Sequence, residues 1–463
     1  MQLTALSISQ ASQLLSRREV TPVELVQAHL TRIKQLDSKI NSFITVTPEA
    51  ALERADLVDR EVGNGEWPNA LNGIPLAIKD LYETRWVRTT AGSTFFSDYY
   101  PTEDAIAVHK LFQAGGVLLG KLNMHEIALG VTNVNPHFGP CRNPWDLSRI
   151  SGGSSGGSAA ALAAGMCMGS LGTDTGGSIR IPAALCGVVG LKPTYGRVSL
   201  RGIIALSWNL DHAGPMARRV ADVALLLQCI AGYDAHDPYS MDVSVEDYLA
   251  SLDMGVRDWR VAVAAGDFFT KVTDAEVLLA MEEAGNTFTQ LGARVEAVEI
   301  TGMRDAAMAN GIMTTSDAAG YHRDRLADHP EKFGEDVRQR LQTGAAYTST
   351  DYVMARRQQS LMHHQFTRFF DDYDILLTPT TPVPAPPIEG PDAIETARLL
   401  TRFTAPFNLT GLPALSLPCG FTSSGLPIGL QIVSRAWGEA AVLRAAQAFE
   451  GATEWRLRQP QLN

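Results

Sequence analysis

Two apolar runs, "WRVAVAA" at 259–265 and "RVEAVEI" at 294–300, flank a stretch that carries the marks of a helix. Thr273-Asp-Ala-Glu276 has the form of a capping box, a hydroxyl for one backbone N–H and a carboxylate for another. Strand, helix and strand in this order favour two parallel neighbours joined by a helical crossover. The same alternation recurs upstream. Thr21-Pro22-Val23-Glu24 starts a helix through "LVQAHLTRIKQL", with a cap, proline at the first position and a closing glutamate. Another helix is predicted from about 102 to 115, before the buried-strand run "GVLLGKLN". The expected fold class is α/β with a largely parallel sheet. Residues 303–370 carry no strand signal and read as helical. The Pro-rich stretch 378–391 reads as an irregular surface connection, after which strand-like runs resume in "PALSLPCGF" and "PIGLQIVS". There is no internal repeat. We expect one domain over 1–463 with a mostly helical insertion at about 303–370 that shapes a substrate pocket.

The chain has 463 residues, 45% hydrophobic and 19% charged, enough to bury a large core. Its net charge of -11, with no run of five Lys or Arg, argues against nucleic acid or an anionic membrane as partner. Cys141, Cys167, Cys186, Cys229 and Cys419 are odd in number and scattered. The start "MQLTALSISQ" lacks the basic and apolar regions of a secretion signal, so a cytoplasmic protein with free thiols is expected. The most apolar stretch, near 159–168, is too short to span a bilayer. No His-Glu-x-x-His and no Cys/His cluster at ligand spacing occurs, so neither metal nor organic cofactor is expected.

"ISGGSSGGSAAALAAG" at 150–165 has the composition of a linker, yet a helix-forming alanine run follows at once. It reads as a hinge, a phosphate loop or part of an active site. A phosphate loop of the Walker type needs a Lys that is missing here. A dinucleotide loop needs a preceding strand, and "NPWDLSRI" is poor strand material. Two overlapping G-x-S-x-G matches fit a nucleophile elbow, but a Gly/Ser run produces them by composition alone. That reading also needs a histidine base, such as His212, His363 or His364. A second loop, Asp174-Thr-Gly-Gly-Ser178, places two glycines before a serine and an apolar segment. Such a loop can turn its N–H groups inward as a nest for an oxyanion. Lys79 ends the apolar run "IPLAI", where desolvation favours the neutral amine. A neutral amine can take a proton from a serine.

With "GIPLAIKD", "TTAGS", "GKLNMHEIALG", "FGPCRNPWD", "LGTDTGGSIRIPAALCGVVGLKPTYGRVS", "SWNLDHAGPMAR" and "NLTGLPALSLPCGF" added, the chain resembles the amidase signature family, densely over 71–220 and again over 404–435. The resemblance implies the amidase signature fold, a large mixed, mainly parallel sheet surrounded by helices. It puts the base on Lys79, a relay serine behind a cis peptide on Ser154, and the acyl nucleophile on Ser178. The implied oxyanion donors are the main-chain N–H groups of Thr175, Gly176, Gly177 and Ser178. Ser155 is expected to bond either to Lys79 or to the backbone. Asp174 and Arg180 are expected to pair and hold the loop, and Asp80 to point away from the base as a structural group. Met124, His125 and Gly130 are candidate pocket residues, with core packing as the other reading of the first two.

The activity implied is hydrolysis of small-molecule amides, or of esters or carbamates by the same chemistry, through an acyl-enzyme and without a cofactor. A monomer or homodimer is expected. The alternative is the glutaminase subunit of a tRNA-dependent amidotransferase. Arg340 sits where such subunits hold an arginine for the glutamine carboxylate. Against it, the acidic residue such subunits carry shortly before "NLxGLPA" is absent from Thr401-Arg402-Phe403-Thr404. A catalytically dead binding subunit is disfavoured because Lys79, Ser154 and Ser178 are all present. Incomplete correction of the lysine's basicity predicts an activity optimum at about pH 8–9.

Overall fold

The structure is a computed structural model that describes residues 2–61 and 69–462. In chain order the strands are β1 (Phe43–Val46), β2 (Pro75–Lys79), β3 (Val117–Leu122), β4 (Val134–Asn135), β5 (Gly139–Pro140), β6 (Arg142–Asn143), β7 (Asp146–Ile150) and β8 (Gly169–Asp174). There follow β9 (Val189–Lys192), β10 (His212–Ala217), β11 (Arg260–Ala265), β12 (Arg294–Glu299), β13 (Ile375–Pro379), β14 (Ala414–Phe421) and β15 (Pro427–Val433). Eleven of them form one sheet in the order β1-β3-β2-β8-β10-β9-β14-β15-β13-β11-β12. The α/β class and the large mixed sheet read from the sequence are what the structure has. Parallel pairing falls in two groups, β3-β2-β8 and β13-β11-β12, where helices connect the strands. Between them β10, β9, β14 and β15 pair antiparallel. Strands β2, β8, β10 and β15 are buried at every residue, as expected where helices cover both faces.

Local chemistry explains the helix starts. Thr21 and Glu24 form the expected box, Glu24 N–H to Thr21 Oγ1 at 3.2 Å and Thr21 N–H to Glu24 Oε2 at 2.8 Å. Asn41 ends that helix (Pro22–Ile40) in the left-handed region, φ 61°. The box expected at Thr273 does not form. Asp274 caps the helix Ala275–Gln290 instead, accepting from Glu276 N at 2.8 Å. The Thr273 hydroxyl donates to the Phe269 carbonyl, and Glu276 accepts from Ser423 N at 2.7 Å. The helix expected from 102 begins only at Ile106, because Asp104 turns its carboxylate to Arg85 N at 2.7 Å.

The stretch 146–150 does form a strand, contrary to expectation. It pairs with β6 in a hairpin outside the main sheet, so it does not supply the parallel strand a dinucleotide loop requires. The Pro-rich connection runs against it, with Ile388 N bonded to Ser148 O at 2.9 Å. Residues 303–372 are largely helical: Met303–Tyr321, Arg323–Asp328, Glu335–Ala346 and Ser349–Asp372.

Candidate active site

The parallel group β3-β2-β8 brings the first pieces together. Lys79 is the last residue of β2 and Asp174 the last of β8, so both lie at the carboxyl ends of neighbouring parallel strands. Open α/β sheets place their ligand sites at that edge. Strand β10 runs the opposite way and begins opposite Asp174, which sets Asp211, just before it, at the same edge.

Lys79 is fully buried. Its Nζ lies 2.7 Å from Ser154 Oγ and 2.8 Å from Thr173 Oγ1. Burial lowers its pKa to about 7, only partly opposed by the charges of Asp211 and Asp174. About half the molecules then carry the neutral amine at pH 7. The sequence-based expectation of incomplete correction underrated this burial: among the described residues the amine bonds to two hydroxyls and pairs with no carboxylate.

The loop 152–157 shows why it is glycine-rich. Gly152 turns the chain at φ +76°, and a Cβ on Gly157 would fall 2.4 Å from the Asn123 carbonyl oxygen. The loop thus presses main chain against main chain. The Gly153–Ser154 peptide is cis. Ser154 is fully buried, and its carbonyl accepts from His125 N at 3.2 Å. Ser155 bonds to the backbone, not to Lys79: its Oγ donates to Thr173 O at 3.2 Å and its N–H to Ser178 O at 3.1 Å. The last bond ties the two glycine loops together.

Ser178 lines a cavity of about 290 Å³, at the small end of ligand-site volumes. Thr175 and Gly176 line it with Ser178, and Gly177 does not. The N–H of Gly177, expected as an oxyanion donor, is committed to Asp174 Oδ1 at 2.8 Å. The N–H groups of Gly176 and Ser178 make no hydrogen bond among the described residues. The nest is therefore narrower than the sequence implies.

Asp174 and Arg180 pair as expected, Nη2 to Oδ1 at 2.9 Å and Nε to Oδ2 at 3.0 Å, both groups fully buried. Burial would raise the Asp174 pKa, but the Arg180 charge and hydrogen bond, Lys192 and Asn408 together hold it well below the usual carboxylate range. The pair braces the loop from behind and does not line the cavity. Asp80 is structural, as expected, bonded to Thr90 N at 2.8 Å and paired with Lys121 at 3.2 Å.

Of the pocket candidates, Gly130 lines the cavity. Met124 does not: it packs in the core, fully buried, and its carbonyl accepts from Asn135 Nδ2 at 2.9 Å. His125 stands one layer behind Gly130, its Nε2 3.1 Å from Asp336 Oδ2.

Three site residues escaped the sequence reading. Thr173 shares the amine with Ser154. Its signal is strand alternation, which puts 173 on one face of β8 with 169 and 171. Asp211 accepts from Thr175 Oγ1 at 2.6 Å, Leu206 N at 2.8 Å and Ser207 N at 3.1 Å. Burial raises its pKa to about 6, against these hydrogen bonds and Lys79. Its signal is an acid in "SWNLDHAGPMAR" immediately before an apolar strand. From the helical region, Asn310 Nδ2 donates to Thr175 O at 3.1 Å and steadies the loop from the other side.

These features define an α/β protein whose candidate site is built from two touching glycine–serine loops and a buried lysine. A family model described as Amidase matches residues 24–443. The chain belongs to the amidase signature family, enzymes of the carbon–nitrogen hydrolase type. It is 41% identical over its whole length, and the whole length of the relative, to a glutamyl-tRNA(Gln) amidotransferase subunit of Geobacter sp. (strain M21). Among solved structures it superposes on a chain of a vestigial protein complex that reveals the evolutionary origins of an s-triazine catabolic enzyme. That match has TM-score 0.92 and 34% identity and covers 96% of this chain and 98% of that one. A bacterial aryl acylamidase of the amidase signature family matches with TM-score 0.89 and 26% identity over 97% of this chain and 96% of that one.

Proposed function

We propose that this chain hydrolyses the C–N bond of small amides through an acyl-enzyme on Ser178, with Ser154 and Lys79 moving the proton. Esters and carbamates are open to the same chemistry. The observation that carries the reading is the 2.7 Å contact between Ser154 Oγ and an amine whose pKa burial has brought to about 7. In the first half-reaction Ser178 Oγ bonds to the carbonyl carbon. Its proton passes to Ser154, whose own proton goes to Lys79. The oxyanion meets the N–H groups of Gly176 and Ser178, aided by Thr175. The C–N bond then breaks, and the proton returns through Ser154 to the leaving nitrogen. Water repeats the sequence on the ester and frees Ser178. Every proton transfer uses a group of the chain, so activity should survive exhaustive EDTA treatment.

A second reading, the glutaminase subunit of a tRNA-dependent amidotransferase, is supported by the 41% identity to the Geobacter amidotransferase chain over both full lengths, and the curated relatives favour it over a stand-alone amidase. Further subunits would then be partners. The absence of an acid at Thr401, which lines the cavity, weighs the other way. Ammonia release from L-glutamine, other primary amides, anilides and aryl esters, measured for the purified chain and for Ser178→Ala, tests both. Turnover that persists in Ser178→Ala would reject the proposal.

A further inference from the structure

A second cavity, of about 60 Å³, shares no lining residue with the cavity at Ser178. An enclosed water needs roughly 10–15 Å³ by this measure, so there is room for several waters or one tetrahedral oxyanion. Its charged lining residues are Arg32, Arg218, Arg219, Arg456 and Arg458, with a single acid, Glu450. The chain as a whole carries 39 Lys and Arg against 50 Asp and Glu, so this wall runs against the composition. None of the five guanidiniums pairs with a carboxylate among the described residues.

Part of the cluster has a structural task. The helices Gly156–Ala163, Arg180–Cys186 and Glu439–Ala452 all end at this cavity. Arg32 Nε donates to Ala164 O at 3.1 Å, Arg218 Nη1 to Cys167 O at 2.9 Å and Leu162 O at 3.3 Å, and Arg456 Nη1 to Glu450 O and to Thr453 O at 3.0 Å. Cations suit helix C-termini, which accounts for these three. It does not account for the other two. Arg219 Nη1 donates to the carbonyls of Arg218 at 3.3 Å and Arg456 at 2.6 Å, which brings cations together. Arg458 lies 4.4 Å over the Phe421 ring and has no hydrogen-bond acceptor among the described residues. Carbonyls orient a guanidinium without neutralising it. Both Nη groups of Arg32 and the Nη2 groups of Arg219 and Arg456 are likewise without an acceptor among the described residues.

The acids nearby do not offset this charge. Glu450 accepts from Val220 N at 3.2 Å, and burial raises its pKa to about 7 against the charges of Arg219 and Arg456. Asp222 acts on Arg218 and Arg219 but does not line the cavity, and its carboxylate accepts from Ile8 N at 3.1 Å and Ser9 N at 3.3 Å. We infer that this cavity binds a phosphate-type dianion, free or as the phosphoryl group of a small monoester, on the unspent N–H groups of Arg32, Arg219, Arg456 and Arg458. Planar forks match phosphate oxygens in charge and geometry. A nucleic acid is disfavoured by the room for one tetrahedral group and by the net charge of -11. The inference does not depend on the reading of Ser178.

The test titrates inorganic phosphate, methyl phosphate and a single-stranded oligodeoxynucleotide into the purified chain by calorimetry at fixed ionic strength. Phosphate or methyl phosphate should bind once per chain, and the tighter of the two tells a free ion from a monoester. Arg458→Gln and Arg32→Gln should each weaken that binding by about tenfold or more, the loss of one charge-assisted hydrogen bond, and Arg32→Lys should retain part of it. Arg294→Gln removes an equal charge from an exposed pair with Asp258 outside the cavity, and should leave binding unchanged. The bound ion should raise the melting temperature of the parent and not that of the Arg32→Gln, Arg458→Gln double variant, whether or not Ser178 is active. No saturable binding of either phosphate, an equal loss in Arg294→Gln, or displacement of phosphate by the oligonucleotide would overturn the inference.

Discussion

A lysine amine buried at the end of an apolar strand costs stability, and Lys79, the proposed base, carries that cost. Its pKa falls from 10.5 to about 7, with burial the dominant cause. Between those values the unfolded chain binds a proton that the folded chain does not. Stability from this group therefore rises with pH across that window, and below about pH 7 the full cost is present. Lys79→Met should remove a cost on the order of a few kcal/mol, less whatever is lost at the Ser154 and Thr173 hydroxyls. We expect a higher melting temperature at pH 7 together with loss of hydrolysis by about a thousandfold or more, the scale of a missing general base. A variant that melts lower, or keeps parental activity, would contradict the assignment. For the parent, kcat/KM should rise through an apparent pKa of about 7 and level off by about pH 8. That is earlier than the alkaline optimum suggested by the sequence, because the completeness of burial depends on β8 and the loop around 154, which a one-strand reading does not see.

The loops were readable because they break ordinary composition rules. Two clusters of Gly and Ser beside apolar runs, and a lysine closing another, do not fit a packed core unless the backbone itself has a task. Exact caps and short strands were not readable. Asp274 displaced Thr273 as cap through a tertiary bond that spends Glu276 on Ser423, and 146–150 became a strand because Arg142–Asn143 and the Pro-rich connection supply partners. Asp211 was missed for a similar reason: its task appears only when antiparallel β10 brings it to Thr175. Asp211→Asn should loosen the Thr175 anchor and lower kcat by about tenfold to a hundredfold, the worth of one hydrogen bond to a charge. Its signature is electrostatic. The Asp211 charge raises the Lys79 pKa, so its removal should move the acid limb of the pH profile below about 7. An unmoved limb would leave Asp211 a purely structural group.

Across the chain, the eleven-stranded sheet supplies the edge that carries the proposed catalytic residues, and the helices of 303–372 wall the cavity through Asn310, Thr315 and Arg340. The first of these layers was visible in motifs. The second was visible only as helical, because side chains that line a pocket from one helix face carry no sequence signature of their own. No helix of the described residues is long and apolar enough to cross a membrane. A stand-alone hydrolase predicts that the purified chain turns over amides without added subunits, whereas strict dependence on partner chains would favour the amidotransferase reading. Both readings need the same nucleophile. The most direct measurement treats the parent, Ser154→Ala and Ser178→Ala with a fluorophosphonate and maps the adduct by peptide mass spectrometry. The adduct should sit on Ser178 in the parent, form far more slowly on the same residue in Ser154→Ala, and be absent from Ser178→Ala. An adduct on Ser154 or Ser155, or one that survives in Ser178→Ala, would contradict the account.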